Sequence, residues 1–372
     1  MKYFFPVLIA LICHTASAQK KHYLIIGTYT YTGKSEGIYV YGFNSKNGNS
    51  KFIRSVKTVN PSFIAVAPNK RTIYVSSEVG DSTGNGGKVA AFLVGKKARL
   101  NFLNQQPSGG NHPCYVSCDK AGRWLFAANY SSGNFSLFPL EKNGRIGMAA
   151  NNVQHFGSSI NKERQREPHV HGAFLNAANN LLLVTDLGID KIMAYQFDSA
   201  GNISEGLPPY VQVPAGAGPR HLSFHPSQKY VYVTEELSAT VAAFSISPEG
   251  KLRLFQTISA VPEAYKGELS SADIHVSPDG RFLYASSRGS ANCIAIYSID
   301  KATGILTLLG YQPTLGNTPR NFNFDPSGNF LLVANQDSDN IVVFSIDHNT
   351  GLLTDTGKRI NVPSPVCVQW IE

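Results

Sequence analysis

The feature that most constrains this chain is a repeat of about fifty residues, a length that matches a four-stranded β-propeller blade rather than a helical or leucine-rich unit. Each copy but the fifth opens near a proline, and all run through an apolar strand and turn at a Pro-x-Gly-like corner. Each then continues into a second apolar strand that ends in polar residues. Copies span Pro61 to Glu78, Pro113 to Asn129, Pro168 to Asp186, Pro219 to Glu236, Ser270 to Arg288 and Pro319 to Asn335. A third strand follows in every unit, as at Val89 to Phe92 and Ile341 to Phe344. Gly250-Lys-Leu252 and Gly351-Leu-Leu353 mark the opening of a fourth. No stretch carries a sustained helical period.

Six complete units leave the two ends over, and the ends complement each other. Tyr23 to Tyr29 and Gly37 to Phe43 resemble second and third strands, while Pro365 to Trp370 resembles a missing first strand. Pairing tail with head makes a seventh blade and removes the strand edges that an open β-solenoid would expose. The expectation is an all-β protein: one seven-bladed β-propeller with four-stranded blades over residues 19–372, closed by its two terminal strands in a composite blade. The composition suits that architecture, because 42% hydrophobic residues fill a large core while 33 glycines and 20 prolines serve many tight turns.

Residues 1–18 read as a signal peptide: Lys2, the apolar run Phe4 to Ile12, and the small-residue cleavage site Ala16-Ser17-Ala18. Cleavage after Ala18 leaves a periplasmic or secreted protein, and no later stretch is apolar and long enough for a membrane span. Of the mature cysteines, Cys114 and Cys118 on one strand stand about 13 Å apart at ~3.3 Å per residue, too far to bridge. Buried, unpaired thiols are the reading for these two and for Cys293 and Cys367. The net charge of +8 comes from scattered lysines and arginines, with one cluster at Lys162 to Arg166 in a loop. That scatter argues against nucleic acid as a partner. No Cys/His cluster asks for zinc, and Gly84 to Gly87 lacks the lysine, serine and helix of a phosphate loop, so no cofactor is expected.

In a propeller the first strand of each blade lies nearest the axis, so polar residues at its start, or just after the second strand, can reach the channel mouth. At strand starts stand His112, His169, His171, Arg220, His221, Asp273, His275 and Arg320. After the second strands stand Glu78, Asn129, Asp186, Glu235 with Glu236, Arg288, and Asn335 with Gln336. Arginines grip anions through paired hydrogen bonds, and imidazole and carboxylate can move protons near neutral pH. The convergence of these types on one rim is the functional signal. Each taken alone is as well read as a structural group.

With these motifs the chain resembles the lactonase family of seven-bladed propellers, which includes bacterial propeller-type 6-phosphogluconolactonases and fungal carboxy-muconate lactonising enzymes. The resemblance rests on Glu167 to Gly172, Thr185 to Lys191, Gly218 to Pro226, Ser277 to Arg288 and Thr318 to Phe322, and covers the mature chain. It implies a catalytic group of His171, Arg220, Glu236 and Arg288. Glu235 adjoins Glu236, and alternating strand residues face opposite ways, so one of the two points inward.

The implied activity is hydrolysis of a small anionic sugar lactone at the channel mouth. Glu236 or His171 takes a proton from the attacking water, and Arg220 and Arg288 hold the substrate and the developing oxyanion. His112, Asn129, His169, Asp186, His221, Arg320 and Asn335 are the expected substrate contacts. The partner is thus a small sugar lactone or sugar acid. Without a Gly-x-Ser-x-Gly elbow, a covalent acyl-enzyme is not expected. Two alternatives stand beside this reading. One is a non-catalytic propeller that binds carbohydrate or protein. The other is a calcium-dependent lactonase using Glu78, Asn129, Asp186 and Asn335 as oxygen ligands.

Overall fold

The computed structural model describes Met1 and residues 22–371, so the segment read as an export signal lies, from residue 2 onward, outside the described residues. The alternating apolar pattern folds into seven four-stranded antiparallel sheets. Tail and head share one of them: Pro365–Ile371 pairs with His22–Thr28, with Leu24 opposite Trp370 and Ile26 opposite Val368. Helix is confined, among the described residues, to the short turns Lys96–Ala98 and Gln336–Ser338. No helix among those residues is long and apolar enough to cross a membrane.

The inner strands are Pro61–Val66, Pro113–Cys118, Val170–Leu175, Pro219–Phe224, Ser271–Val276, Pro319–Phe324 and Pro365–Ile371. Each packs against the next, and the last packs against both the sixth and the first, so the ring is closed. The second strands are buried on both faces because neighbouring blades clamp them. Tyr232, Ala243, Ile274, Leu283 and Tyr297 form one such shared core. Its Tyr232 reaches across to satisfy its hydroxyl on the Gly304 carbonyl at 2.8 Å, and Tyr284 of the next core does the same on that of Gly351 at 2.7 Å. The corner between the first two strands requires a left-handed residue. Gly280 and Gly328 supply it at φ near +75°, and Lys70, Asn179 and Gln228 adopt it elsewhere.

Two repeated details position the channel mouth. Every inner strand breaks register once at the same place, for example between Pro113 and Tyr115 and between Val170 and Gly172. The break leaves Ser62, Cys114, His171, Arg320 or Val366 outside the pairing in five blades, and the pairs Arg220 with His221 and Ala272 with Asp273 in the other two. The residue just after each second strand also donates its amide to the carbonyl just before the inner strand. Glu236 N to Gly218 O and Arg288 N to Ser270 O, both 2.7 Å, are two examples. One predicted boundary moves: the third copy's inner strand starts at Val170 rather than Pro168. There the His169 amide donates to Asp186 Oδ1 at 2.7 Å instead of entering the ladder.

Candidate active site

Glu236 is the hub of the mouth. Following the strand Tyr230–Glu235, it is 4% exposed and is held by three guanidiniums. Arg164 Nη2 donates to Oε1 at 2.7 Å, while Arg220 Nε and Arg288 Nη2 reach Oε2 at 2.8 and 3.0 Å. Burial alone would raise its pKa, but the charges of Arg288, Arg220 and Arg164 prevail and bring it down to about 2. Arg220, 1% exposed, also donates to the Ala272 carbonyl at 2.6 Å. Burial, reinforced by Arg320 and Arg288, pulls Arg220 down to about 10, so it remains a cation at neutral pH. Arg288 adds a bond to the Ser271 carbonyl at 3.2 Å.

The bulge delivers His171 to the same mouth. Its ring packs edge-on against Tyr130 and His221, with centroids at 5.6 and 5.2 Å. Nδ1 faces the Cys114 thiol at 3.7 Å, and Nε2 makes no hydrogen bond to any described residue. Burial, then the charge of Arg220, holds this imidazole well below its usual pKa, so it is neutral at pH 7. Arg320 also acts on His171, Arg220 and Arg288 through its charge, which marks one shared site. His221 lies one layer deeper, its Nδ1 on Asp273 Oδ1 at 2.8 Å, and burial followed by Arg220 lowers it to about 4. Asp273 in turn meets His275 Nε2 at 3.0 Å, toward the opposite end of the channel.

The structure therefore brings His171, Arg220, Glu236 and Arg288 into one cluster, with Arg320 and His221 beside them. His169 stacks on the Tyr130 ring at 4.4 Å, and His112 sits exposed with Nδ1 on Ser131 Oγ at 2.8 Å. Three expected contacts go elsewhere. Asn129, Asp186 and Asn335 are the last residues of their second strands, one position before the rim residue. Alternation turns them into the blade junctions. Asn129 Nδ2 and Asn335 Nδ2 donate to the carbonyls of Ser108 and Thr314 at 3.1 and 3.2 Å, and Asp186 Oδ2 pairs with His155 Nδ1 at 2.7 Å. All three are fully buried on the chain that links one blade to the next. The conditional calcium set of Glu78, Asn129, Asp186 and Asn335 is accordingly not assembled. No group of three or more His, Cys, Asp or Glu among the described residues is arranged to hold a metal.

Three mouth residues escape the sequence reading. Tyr29 and Tyr130 each follow a second strand, in the same register as Glu78, Glu236 and Arg288. Comparing the repeats at that one position would have found them. Arg164 comes from the charged cluster Lys162 to Arg166 and also bonds Tyr130 OH at 3.1 Å. Its loop is pinned by Asp190, which accepts from Gln165 Nε2 at 2.7 Å and from the amides of Gly216 and Gly218.

Glu235 belongs to the junction set, with Thr240 as its hydrogen-bond donor. Burial raises its pKa from 4.5 to about 7, Thr240 offsetting part of this and Asp190 adding to it. A carboxyl more basic in the folded state contributes stability that is complete below pH 4.5 and is lost as pH rises through about 7. Glu235→Gln should therefore be more stable than the parent at pH 8 by up to about 3 kcal/mol, and indistinguishable from it near pH 4. Urea midpoints at the two pH values check this, and a gap independent of pH would refute it.

The family model described as "Lactonase, 7-bladed beta-propeller" matches residues 23–370. A 6-phosphogluconolactonase of Bacillus subtilis is 37% identical over 349 residues, covering 93% of this chain and 97% of the relative. One from Formosa agariphila is 38% identical over 335 residues, covering 89% and 94%. The solved periplasmic gluconolactonase of Pseudomonas aeruginosa superposes with a TM-score of 0.90 at 34% identity, covering 95% of this chain and 99% of that one.

Proposed function

Because the chain belongs to the seven-bladed β-propeller lactonases, we propose that it hydrolyses a small sugar lactone at the channel mouth formed by His171, Arg220, Glu236 and Arg288. One observation carries this reading: a neutral, buried imidazole faces the mouth beside guanidiniums that a single carboxylate holds in place. The names of the relatives, 6-phosphogluconolactonase and gluconolactonase, point to the substrate class.

In this reading His171 Nε2 accepts a proton from water as the water oxygen bonds to the lactone carbonyl carbon. The carbonyl electrons move onto oxygen, where Arg220 and Arg288 meet the oxyanion with charge-assisted donors in a water-poor site. Collapse breaks the bond from the carbonyl carbon to the ring oxygen, His171 returns its proton to that oxygen, and the open aldonic acid leaves. Glu236, held near pKa 2, stays ionised and serves as the anchor that orients the arginines rather than as the base. The sequence Lys2 to Ala18 supports an exported setting for this reaction.

The test is turnover of glucono-δ-lactone and its 6-phosphate, followed as acid release above the spontaneous rate. Arg288→Ala should lose about 10²–10³-fold in kcat, the effect of deleting one oxyanion donor. Its melting temperature reports separately on the fold. Full activity in a folded Arg288→Ala protein would defeat the assignment.

A further inference from the structure

The inner strands start at the mouth and run away from it, so their later residues line the other end of the channel. There they enclose a separate cavity of about 340 Å³, within the size range of small-molecule sites. Phe174, Ser223 and His275 in its wall stand three positions beyond His171, Arg220 and Ala272. At ~3.3 Å per residue that is about 10 Å further along the channel. None of His171, Arg220, Glu236 and Arg288 lines this cavity.

Its charge is unlike that of the mouth. No arginine, lysine or glutamate among the described residues lines it, and its one carboxylate, Asp273, is already engaged on every side. Asp273 is 3% exposed and accepts from His221 Nδ1 at 2.8 Å, His275 Nε2 at 3.0 Å, Asn321 Nδ2 and the Phe322 amide at 3.2 Å. Burial alone would raise its pKa, but His275 and His221 prevail and hold it well below the usual carboxylate range. A carboxylate so enclosed has nothing left for a ligand cation, and a ligand anion would find no counter-charge. The cavity therefore suits a neutral ligand.

What it offers such a ligand is free hydrogen-bonding capacity beside an aromatic wall. The Tyr115 hydroxyl, His275 Nδ1 and the Gln369 amide make no hydrogen bond to any described residue. Ser223 Oγ accepts from the Val276 amide at 3.0 Å and keeps its own hydrogen to donate. The wall is the row Phe63, Tyr115, Phe174, with ring centroids 4.2 and 4.7 Å apart and successive tilts of 34° and 47°. Rings tilted in this way give a flat heteroaromatic no single face to stack on. A pyranose matches both parts, because its C–H face is apolar and its hydroxyls both donate and accept.

We propose that this end of the channel is a second binding site, for a neutral pyranose that is held and not hydrolysed. The site stands on its own residues and does not depend on the lactone-hydrolysis reading.

Calorimetric titration of the full chain with glucose, galactose and mannose, and with glucuronate, choline and adenosine, tests it. At least one neutral hexose should bind with a Kd of about 1 mM or tighter, and the other three compounds about tenfold or more weakly than that hexose. Gln369→Ala should weaken the hexose about tenfold, and Tyr115→Phe, which removes only the hydroxyl, about fivefold. Arg288→Ala should bind it as the parent does. Melting temperatures report on the fold, and Tyr115→Phe decides alone should Gln369→Ala not fold. Absence of binding by all three hexoses would overturn the proposal. So would glucuronate, choline or adenosine binding as well as the best hexose, or hexose binding that Arg288→Ala abolishes while Gln369→Ala and Tyr115→Phe keep it.

Discussion

His171→Ala is expected to lower kcat for lactone hydrolysis by about 10²–10⁴-fold, the range a positioned general base contributes, with KM changed by no more than about threefold. The size follows from the surroundings of the imidazole. Arg220, His221 and Arg320 hold its pKa down in addition to burial, Cys114 and Tyr130 flank it, and its Nε2 makes no hydrogen bond to any described residue. A base kept neutral in this way gives a particular pH profile. An ordinary histidine near 6.5 would lose half its activity at that pH, whereas a depressed one keeps kcat/KM flat well below it. The neutral form is the active one, so activity falls only where acid finally protonates the ring. Rate profiles from pH 8 to 5 on the parent and on His171→Gln test both points. A profile breaking near pH 6.5, or a His171 variant with undiminished kcat, would remove the histidine from the mechanism.

The sequence carried the ring almost complete, and the reason is physical. Propeller blades repeat, so any one strand is weakly marked but six aligned copies reinforce each other. The leftovers at 23–43 and 365–370 then had only one way to avoid open edges. The inward set was less legible because it depends on two single-residue details. The bulge that frees His171, Arg220 and Arg320 has no signature beyond the repeat itself. The difference between Glu235 in a junction and Glu236 at the mouth is one step of strand alternation. Asn129, Asp186 and Asn335 fell on the wrong side of that same step. Arg164 was hidden for another reason: its loop takes its path from Asp190, a long-range partnership that no local pattern encodes.

The second large effect falls on stability. Glu236→Gln should cost about 3 kcal/mol at pH 7, because it leaves three guanidiniums crowded in a buried site with no central counter-charge. The pKa of Glu236 gives the same scale independently. A carboxyl brought from 4.5 to about 2 by folding contributes about 3 kcal/mol, at ~1.4 kcal/mol per pH step. The sign fixes the pH window: this stability is present above pH 4.5 and is lost as pH falls through about 2. Parent and variant should therefore differ most at neutral pH and converge toward pH 2, whatever other carboxylates do in both. Because the deficit is one of negative charge at the mouth, phosphate should stabilise Glu236→Gln more than the parent, while chloride at equal ionic strength should not. Unfolding midpoints in the two salts separate a lost counter-ion from a lost shape. A native-like variant as stable as the parent at pH 7 would show that the arginines need no carboxylate to hold them together, and that Glu236 stands at the mouth for its chemistry instead.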